Sequence, residues 1–446
     1  MRKNIFTKQS NRSERRSKAG FRMICLMLIL CMVCGFTLSG CTTYDNFKIA
    51  YLGGSPEVQE PTIKIGVYEP LSGAYKQYGT DESVGIELAH ELYPEVLGKK
   101  VELIYADNRS NMYDAETALS ELMSQSPSVV LGSYGEVLSL VATDYMVASS
   151  TPAITIICTN PLITTNNDFY FTASFSLAKQ GAALADFAVD ALNKTSFATF
   201  KIISDDSVTD TVKRFRSRVI KKLEDENVIK GTYEIKADAV DYTSYIEQLK
   251  NNEVESILLA IPPAVAQNFI TQCIQMEYFP QFLGTRDWDT EEFTKFVTSN
   301  PDISVSYPSV QAAEATDTYQ TFMDAYTQKY GTATPPSGAA AAAFDAYLLA
   351  IKAIEDAYEN VKNVDLEELK ATPDPDAKLK AEIQAYEATL ETGIPSGTQI
   401  RDALKAIDDF EGATGVLSYD GNTEVSKNVT ILHFFMGEQL APYSIG

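Results

Sequence analysis

Short β-rich runs alternate with helical stretches of about ten residues along most of this chain, and that alternation restricts the possible folds more than any other feature. Residues 63–69, 100–106, 129–132 and 153–157 read as strands, with helical periodicity over 83–92, 115–123 and 137–148 between them. A second series follows. Helices are predicted at 181–192, 208–224, 242–250 and 264–276, and strands at 198–203, 232–235, 256–261 and 281–283. Repeated βαβ units mean parallel sheets, so the chain is expected to be α/β, with two units of similar size joined near 171–179. Two open parallel sheets side by side leave a cleft at the carboxyl ends of their strands, which is where such folds take ligands.

The front end stands apart from this pattern. Residues 1–40 hold eight bases and one acid, Glu14, followed by an apolar stretch over 23–38. This is the layout of a secretory signal. A transmembrane helix is the competing reading, but the stretch is short for a hydrocarbon layer of about 30 Å. It ends in Leu38-Ser39-Gly40-Cys41, which resembles a bacterial lipobox. That resemblance implies cleavage before Cys41 and lipidation of its sulfur. Each buried acyl methylene contributes about 0.8 kcal/mol, so lipid on Cys41 would hold the protein to the membrane. Residues 41–61 are expected to be anchor and tether. The whole chain of 446 residues carries a net charge of −23; without residues 1–40, 29 bases and 59 acids remain, a net −30. Such a surface does not bind nucleic acid or anionic headgroups by itself. Beyond Cys41 only Cys158 and Cys273 remain. They read as buried thiols, one disulfide being arithmetically open.

After the second series the chain turns mainly helical, at 317–330 and 337–359. The alanine run 339–343 is followed by Phe344, Tyr347, Leu348 and Ile351 at helical spacing, which predicts a tightly packed helix. Residues 362–392 are charged and carry Pro373 and Pro375, so a surface excursion is expected there, in the form of a solvated helical hairpin. A helix over 399–410 and strands at 416–419 and 429–435 close the chain.

A search for catalytic motifs finds no GxGxxG, no phosphate-binding GxxxxGK[ST], no HExxH and no GxSxG. The two histidines, His90 and His433, fall in an amphipathic helix and a terminal strand and read as structural. The acidic run 287–292 lacks the order of a calcium loop, and reads as a helix start capped by Asp289. No catalytic residue, metal or cofactor is expected. What remains is a set of strand-to-helix turns rich in small and polar residues: Pro70-Leu71-Ser72-Gly73 with Tyr78-Gly79, Gly132-Ser133-Tyr134-Gly135-Glu136, and Thr159-Asn160-Pro161. Turns need such residues anyway. Several along one sheet edge also present N–H groups and hydroxyls suited to a small polar ligand.

From Ile63 onward the sequence resembles the Leu/Ile/Val-binding type of ABC-importer solute-binding protein. The stretches that carry the resemblance are IKIGVYEPLSGAYKQYG (63–79), LGKKVELIYADNRS (97–110), PAITIICTNPLIT (152–164), GATGVLSYDGN (412–422) and the helix pair of 322–354. It implies the type I periplasmic-binding-protein fold: two Rossmann-like lobes joined by a three-strand hinge that closes on a ligand. The lobes expected are 62–178 plus 311–411, including the insertion 362–392, and 179–310 plus 412–446. The resemblance also implies site residues. The opening-loop aromatic matches Tyr78, the fourth-turn threonine matches Thr159, and the backbone carbonyl two positions earlier falls on Ile157. The third-turn position falls on Glu136, while a shift of one to three residues brings in Ser133 or Tyr134. The family's second-lobe tyrosines are replaced by Val208 and by Ile261 or Pro262, and its acidic residue is best matched by Asp287. With Glu136, Asp205, Asp206 and Asp287 near the cleft, a cationic or uncharged polar ligand is the expectation in place of leucine, isoleucine or valine.

The function implied is capture of an amino acid or related small polar solute outside the cytoplasm, by a monomer anchored through Cys41 that docks on ABC permease subunits. A ligand sensor of the same fold is the alternative, and an extracellular hydrolase working through Ser72 or Ser133 a third.

Overall fold

A computed structural model describes residues 61–446, of which Thr62–Gly446 form one compact unit. The expectations for the signal segment, Cys41 and the tether lie outside the described residues. Among those described, no helix is long and apolar enough to cross a membrane.

The first sheet is built from β1 (Ile63–Glu69), β2 (Glu95–Val96), β3 (Lys99–Asp107), β4 (Val129–Leu131), β5 (Ala153–Thr155) and β6 (Tyr170–Thr172), in the order β2-β3-β1-β4-β5-β6. All pairs except β2–β3 are parallel. β1 is buried along nearly its whole length, as a strand covered by helices on both faces should be. The order reverses beside β1, where β3 lies on one side and β4 on the other. That is the switch point at which an open α/β sheet offers a crevice.

The second sheet contains β7 (Phe197–Ile202), β8 (Ile229–Ile235), β9 (Ser256–Ala260), β10 (Gln281–Gly284) and β11 (Ser304–Ser309), all parallel in the order β11-β10-β9-β7-β8. The strands β12 (Phe410–Gly412) and β13 (Gly415–Leu417) form a separate hairpin. The last long strand, β14 (Val429–Phe435), joins β11 antiparallel and carries the short strands β15 (Glu438–Gln439) and β16 (Tyr443–Ile445) on its outer side.

Between its two sheets the chain passes three times, at residues 173–176, 310–316 and 424–428. The first and third passages are stitched together. Thr172 N–H donates to the Thr423 carbonyl at 3.0 Å, Val425 N–H donates to Thr172 Oγ1 at 3.0 Å, and the Tyr419 hydroxyl donates to the Thr172 carbonyl at 2.9 Å. Ala413, Leu417, Tyr419 and Val425 all pack in the core of the first lobe, so the chain rejoins the second sheet only at Val429.

The helix Gly338–Lys362 packs into that same core with Ala340–Ala343 fully enclosed. Its partner is the helix Lys76–Leu92, whose Gly85 lies so near that a Cβ there would meet the Ala340 carbonyl oxygen at 1.9 Å. The alanine run and Gly85 together permit this backbone-to-backbone approach. The charged excursion forms two exposed helices, Leu366–Lys370 and Ala377–Thr392, capped by Asp365 and Asp376 and bridged by Lys370 and Glu387 at 2.8 Å.

Two local expectations change. The helix Glu291–Thr298 is capped by Thr290, whose hydroxyl accepts from Phe293 N–H. Asp289 instead accepts from the Ser309 hydroxyl at 2.6 Å, and burial raises its pKa to about 6. β11 is a strand that periodicity did not predict. Cys158 and Cys273 are both buried and free.

Candidate binding crevice

The carboxyl ends of β1 and β4 set the floor of the crevice. Strand register places Glu69 beside Asp107 at the same sheet edge, yet the two carboxyls have opposite surroundings. Burial pushes the Asp107 carboxyl up, but bonds from the Ser72 hydroxyl (2.7 Å) and the N–H groups of Arg109, Leu71 and Ser72 outweigh it and hold it below its usual range. Asp107 thereby fixes the opening loop. Glu69 is fully enclosed, and burial followed by the charge of Glu82 pushes it well above the carboxylate range. Glu82, on the inner face of the helix Lys76–Leu92, is raised by burial to about 8. Glu69 Oε2 accepts from the Tyr134 N–H at 2.9 Å, while Glu69 Oε1 and both Glu82 oxygens are enclosed with no hydrogen-bond donor among the described residues. Gly132, at φ 105°, leaves the space Glu69 needs: a Cβ there would meet Glu69 Oε1 at 2.2 Å.

The third turn rests on that floor. Ser133 is buried, with its hydroxyl accepting from Asn108 Nδ2 at 2.8 Å and donating to the Tyr134 carbonyl at 3.0 Å. The Tyr134 ring stacks on Tyr78 with centroids 4.4 Å apart and planes 2° from parallel, and Tyr75 tilts against it at 5.7 Å. Glu136 opens the helix Glu136–Ser149 and accepts from Asn160 Nδ2 at 3.2 Å. Ile157 and Thr159 lie in the turn after β5, Thr159 buried and Ile157 half-buried.

The second lobe reaches this turn with one side chain, Arg286, in the turn after β10. Its Nη2 donates to the Ile157 carbonyl and lies 3.5 Å from Thr159 Oγ1. The guanidinium carbon sits 5.9 Å from the centre of the Phe175 ring, in the first interlobe passage. Arg286 N–H donates to Gln180 Oε1 at 2.9 Å, and Gln180 Nε2 donates to Thr211 Oγ1 at 3.0 Å. A chain of buried polar contacts therefore sets the position from which the arginine extends.

The other sequence-predicted residues are dispersed. Asp287 is exposed, and its charge is among those that raise the Tyr134 hydroxyl after burial. Val208 is buried in the core of the second lobe, and Ile261 is buried with its carbonyl accepting from Trp288 Nε1 at 2.9 Å. Asp205 accepts from Ser207 N–H at 3.0 Å, while Asp206 is nearly fully exposed and lies 3.8 Å from Lys201. Tyr78 stacks on Tyr134, and Ile157 and Thr159 meet Arg286, while Glu69, Glu82, Phe175 and Arg286 are residues that the sequence did not single out. Both histidines carry structural bonds: His90 Nε2 with the Val101 carbonyl at 3.1 Å, His433 Nδ1 with Ser306 Oγ at 2.8 Å. Among the described residues no group of three or more His, Cys, Asp or Glu is placed to hold a metal ion.

Known proteins share this fold. The fold is similar to the leucine binding protein LivK of Thermotoga maritima, at 20% identity over 86% of this chain and 99% of that one, TM-score 0.65. It is similar to the branched-chain amino acid binding protein LivJ of Streptococcus pneumoniae, solved with isoleucine, at 22% identity over 86% and 99%, TM-score 0.66. A solute binding protein of an ABC transporter from Rhodopseudomonas palustris, solved with p-hydroxybenzoic acid, matches at 17% identity over 86% and 97%, TM-score 0.66. No curated protein sequence matches the chain. The family model described as periplasmic binding protein matches residues 62–425, and with its two parallel-sheet lobes of the type I arrangement the chain belongs to the periplasmic binding protein family.

Proposed function

We propose that this protein is the extracytoplasmic solute receptor of an ABC importer, anchored through lipid on Cys41, which captures a small polar solute between its lobes and delivers it to membrane permease subunits. The observation that carries the reading is the contact of Arg286 with Ile157 across the crevice, beside the Tyr78–Tyr134 stack. Groups from both lobes meet there, and only a ligand that touches both can favour the closed arrangement over the open one. Micromolar capture needs about −8 kcal/mol, within reach of one stacked aromatic and a few charge-assisted hydrogen bonds. Tyr78, Tyr134, Ile157, Thr159 and Asp287 are the proposed contacts. Ser133, Glu136 and Val208 act in this reading by shaping the turns behind them.

Solutes of amino-acid or aromatic-acid size suit the reading, since the similar structures hold isoleucine and p-hydroxybenzoic acid. Binding without chemical change is supported by the commitment of Ser72 to Asp107, of Ser133 to Asn108 and Tyr134, and of both histidines to structural bonds. The test is native mass spectrometry of the full chain purified in mild detergent, followed by calorimetry with whatever it retains. A retained small solute that rebinds unchanged is the expected result. Turnover of the solute, or no saturable binding of any retained molecule, would refute the proposal.

A further inference from the structure

We infer that Arg286 is the anchor for a carboxylate, and that the solute is an organic acid rather than a cation. The inference rests on the solute-capture reading above and names the chemistry of that site.

Three observations converge. First, the Arg286 guanidinium makes no ion pair among the described residues, although the protein is strongly acidic overall. Its two hydrogen-bond partners, the Ile157 carbonyl and the Thr159 hydroxyl, are neutral, and Nη1 is enclosed with no acceptor at all. A half-buried cation held by neutral acceptors with a spare donor is an incomplete arrangement, and a carboxylate entering between parted lobes, where it replaces Ile157 and Thr159 as the acceptor, completes it. Second, the arginine is held for the task. Gln180 and Thr211 fix its backbone and Phe175 supports the guanidinium, so its reach into the crevice is built in before a ligand arrives. Third, the same contacts disfavour an ammonium. The acceptors of the fourth turn are already occupied by a positive group, and an incoming cation would meet the guanidinium itself.

The acids around the site do not reverse this polarity. Burial holds Glu69 and Glu82 toward their neutral forms, although the charge of Arg286 pulls Glu82 the other way, and neither carboxyl pairs with the guanidinium. Glu136 is engaged by Asn160, Asp205 by its own loop, and Asp206 lies outside near Lys201. Asp287 is exposed next to Arg286 in the chain, and a zwitterion could set its carboxylate on Arg286 and its ammonium toward Asp287.

The test is isothermal titration calorimetry on the full chain with benzoate, 4-methylpentanoate, leucine and leucinamide, on wild type, R286Q and R286K. At least one of the three acids binds, leucinamide does not, R286Q weakens the acid by about 10- to 100-fold, and R286K falls between. Unfolding temperatures of the free variants, read alongside, separate lost binding from lost folding. Three results overturn the inference: leucinamide binding as tightly as leucine, no acid binding, or R286Q leaving acid affinity unchanged. If the purified protein retains a solute lacking a carboxylate, solute capture stands and the arginine anchor falls. If it retains none and binds none, both fall.

Discussion

Replacing Glu82 by glutamine should make the protein less sensitive to rising pH, because it removes one of two buried carboxyls. Both Glu82 oxygens are fully enclosed, and the group keeps its proton in the folded state up to about pH 8, against 4.5 when unfolded. Below pH 4.5 folded and unfolded chains both hold that proton, and it contributes nothing to pH dependence. Between 4.5 and 8 the unfolded chain has released it while the folded chain retains it. Stability therefore falls as pH rises, by about 1.4 kcal/mol per pH unit. From pH 5 to pH 7 this is on the order of 2–3 kcal/mol. Glu69 titrates in the same direction and is raised in part by the charge of Glu82, so the variant also relieves Glu69 and the comparison reads the pair together. The glutamine amide also offers an N–H to Glu69 Oε1, which has no other donor. Urea unfolding of wild type and Glu82→Gln at pH 5 and pH 7 measures the difference directly. Wild type should lose roughly 2–3 kcal/mol more than the variant over that interval. Parallel pH profiles would show that Glu82 is ionised in the folded protein and that the account of the crevice floor is wrong.

Other predictions address the hinge, the core and the approach of the solute. Lys427 is buried against Asp345 and Thr414, and burial lowers its pKa to about 8 despite the Asp345 charge; Lys427→Met should cost about 3–5 kcal/mol in urea unfolding by stranding that carboxylate, and adding Asp345→Asn should return part of the loss. Gly85→Val should destabilise by at least about 3 kcal/mol, because its Cβ meets backbone at Ala340 and not a movable side chain; an unfolding temperature within a degree or two of wild type would contradict the packing described. The net charge of −23 repels an incoming acid at distances that salt screens. The association rate of benzoate, followed by the fluorescence of the single Trp288 beside the site, should therefore rise between about 20 mM and about 300 mM salt, and a falling rate would favour a cationic ligand.

Most of the architecture was legible in the sequence because its strands are continuous apolar runs and its helices keep their period. The stretches IKIGVYE and SILLA can hardly be anything but buried strands of a parallel sheet. β11 was illegible for a physical reason. Its residues, SVSYPS, mix serines with Pro308, and the strand exists because β10 and β14 flank it, with Pro308 lying opposite Ile431. The destination of residues 413–425 was hidden likewise, since it depends on bonds from Tyr419 and Val425 to Thr172, some 250 residues earlier. At the site, the turns of the first lobe could be picked out from their small and polar residues, and those turns carry the Tyr78–Tyr134 stack and the Ile157 and Thr159 groups that Arg286 meets.

The second lobe shows where such reading stops. Arg286 and Asp287 are neighbours in one short 3-10 turn, Arg286–Trp288, and a residue-by-residue match to a family acid selects the aspartate. Successive side chains in such a turn point about 120° apart, so only one of the two can extend to the opposite lobe. Which one does is decided by Trp288, packed over Gly284 and bonded to the Ile261 carbonyl, and by Gln180, which holds the Arg286 N–H from 106 positions away. Neither constraint is local in sequence. The sign of the charge that reaches the first lobe therefore follows from long-range packing of the second, even where the turn that carries it is plain from the sequence.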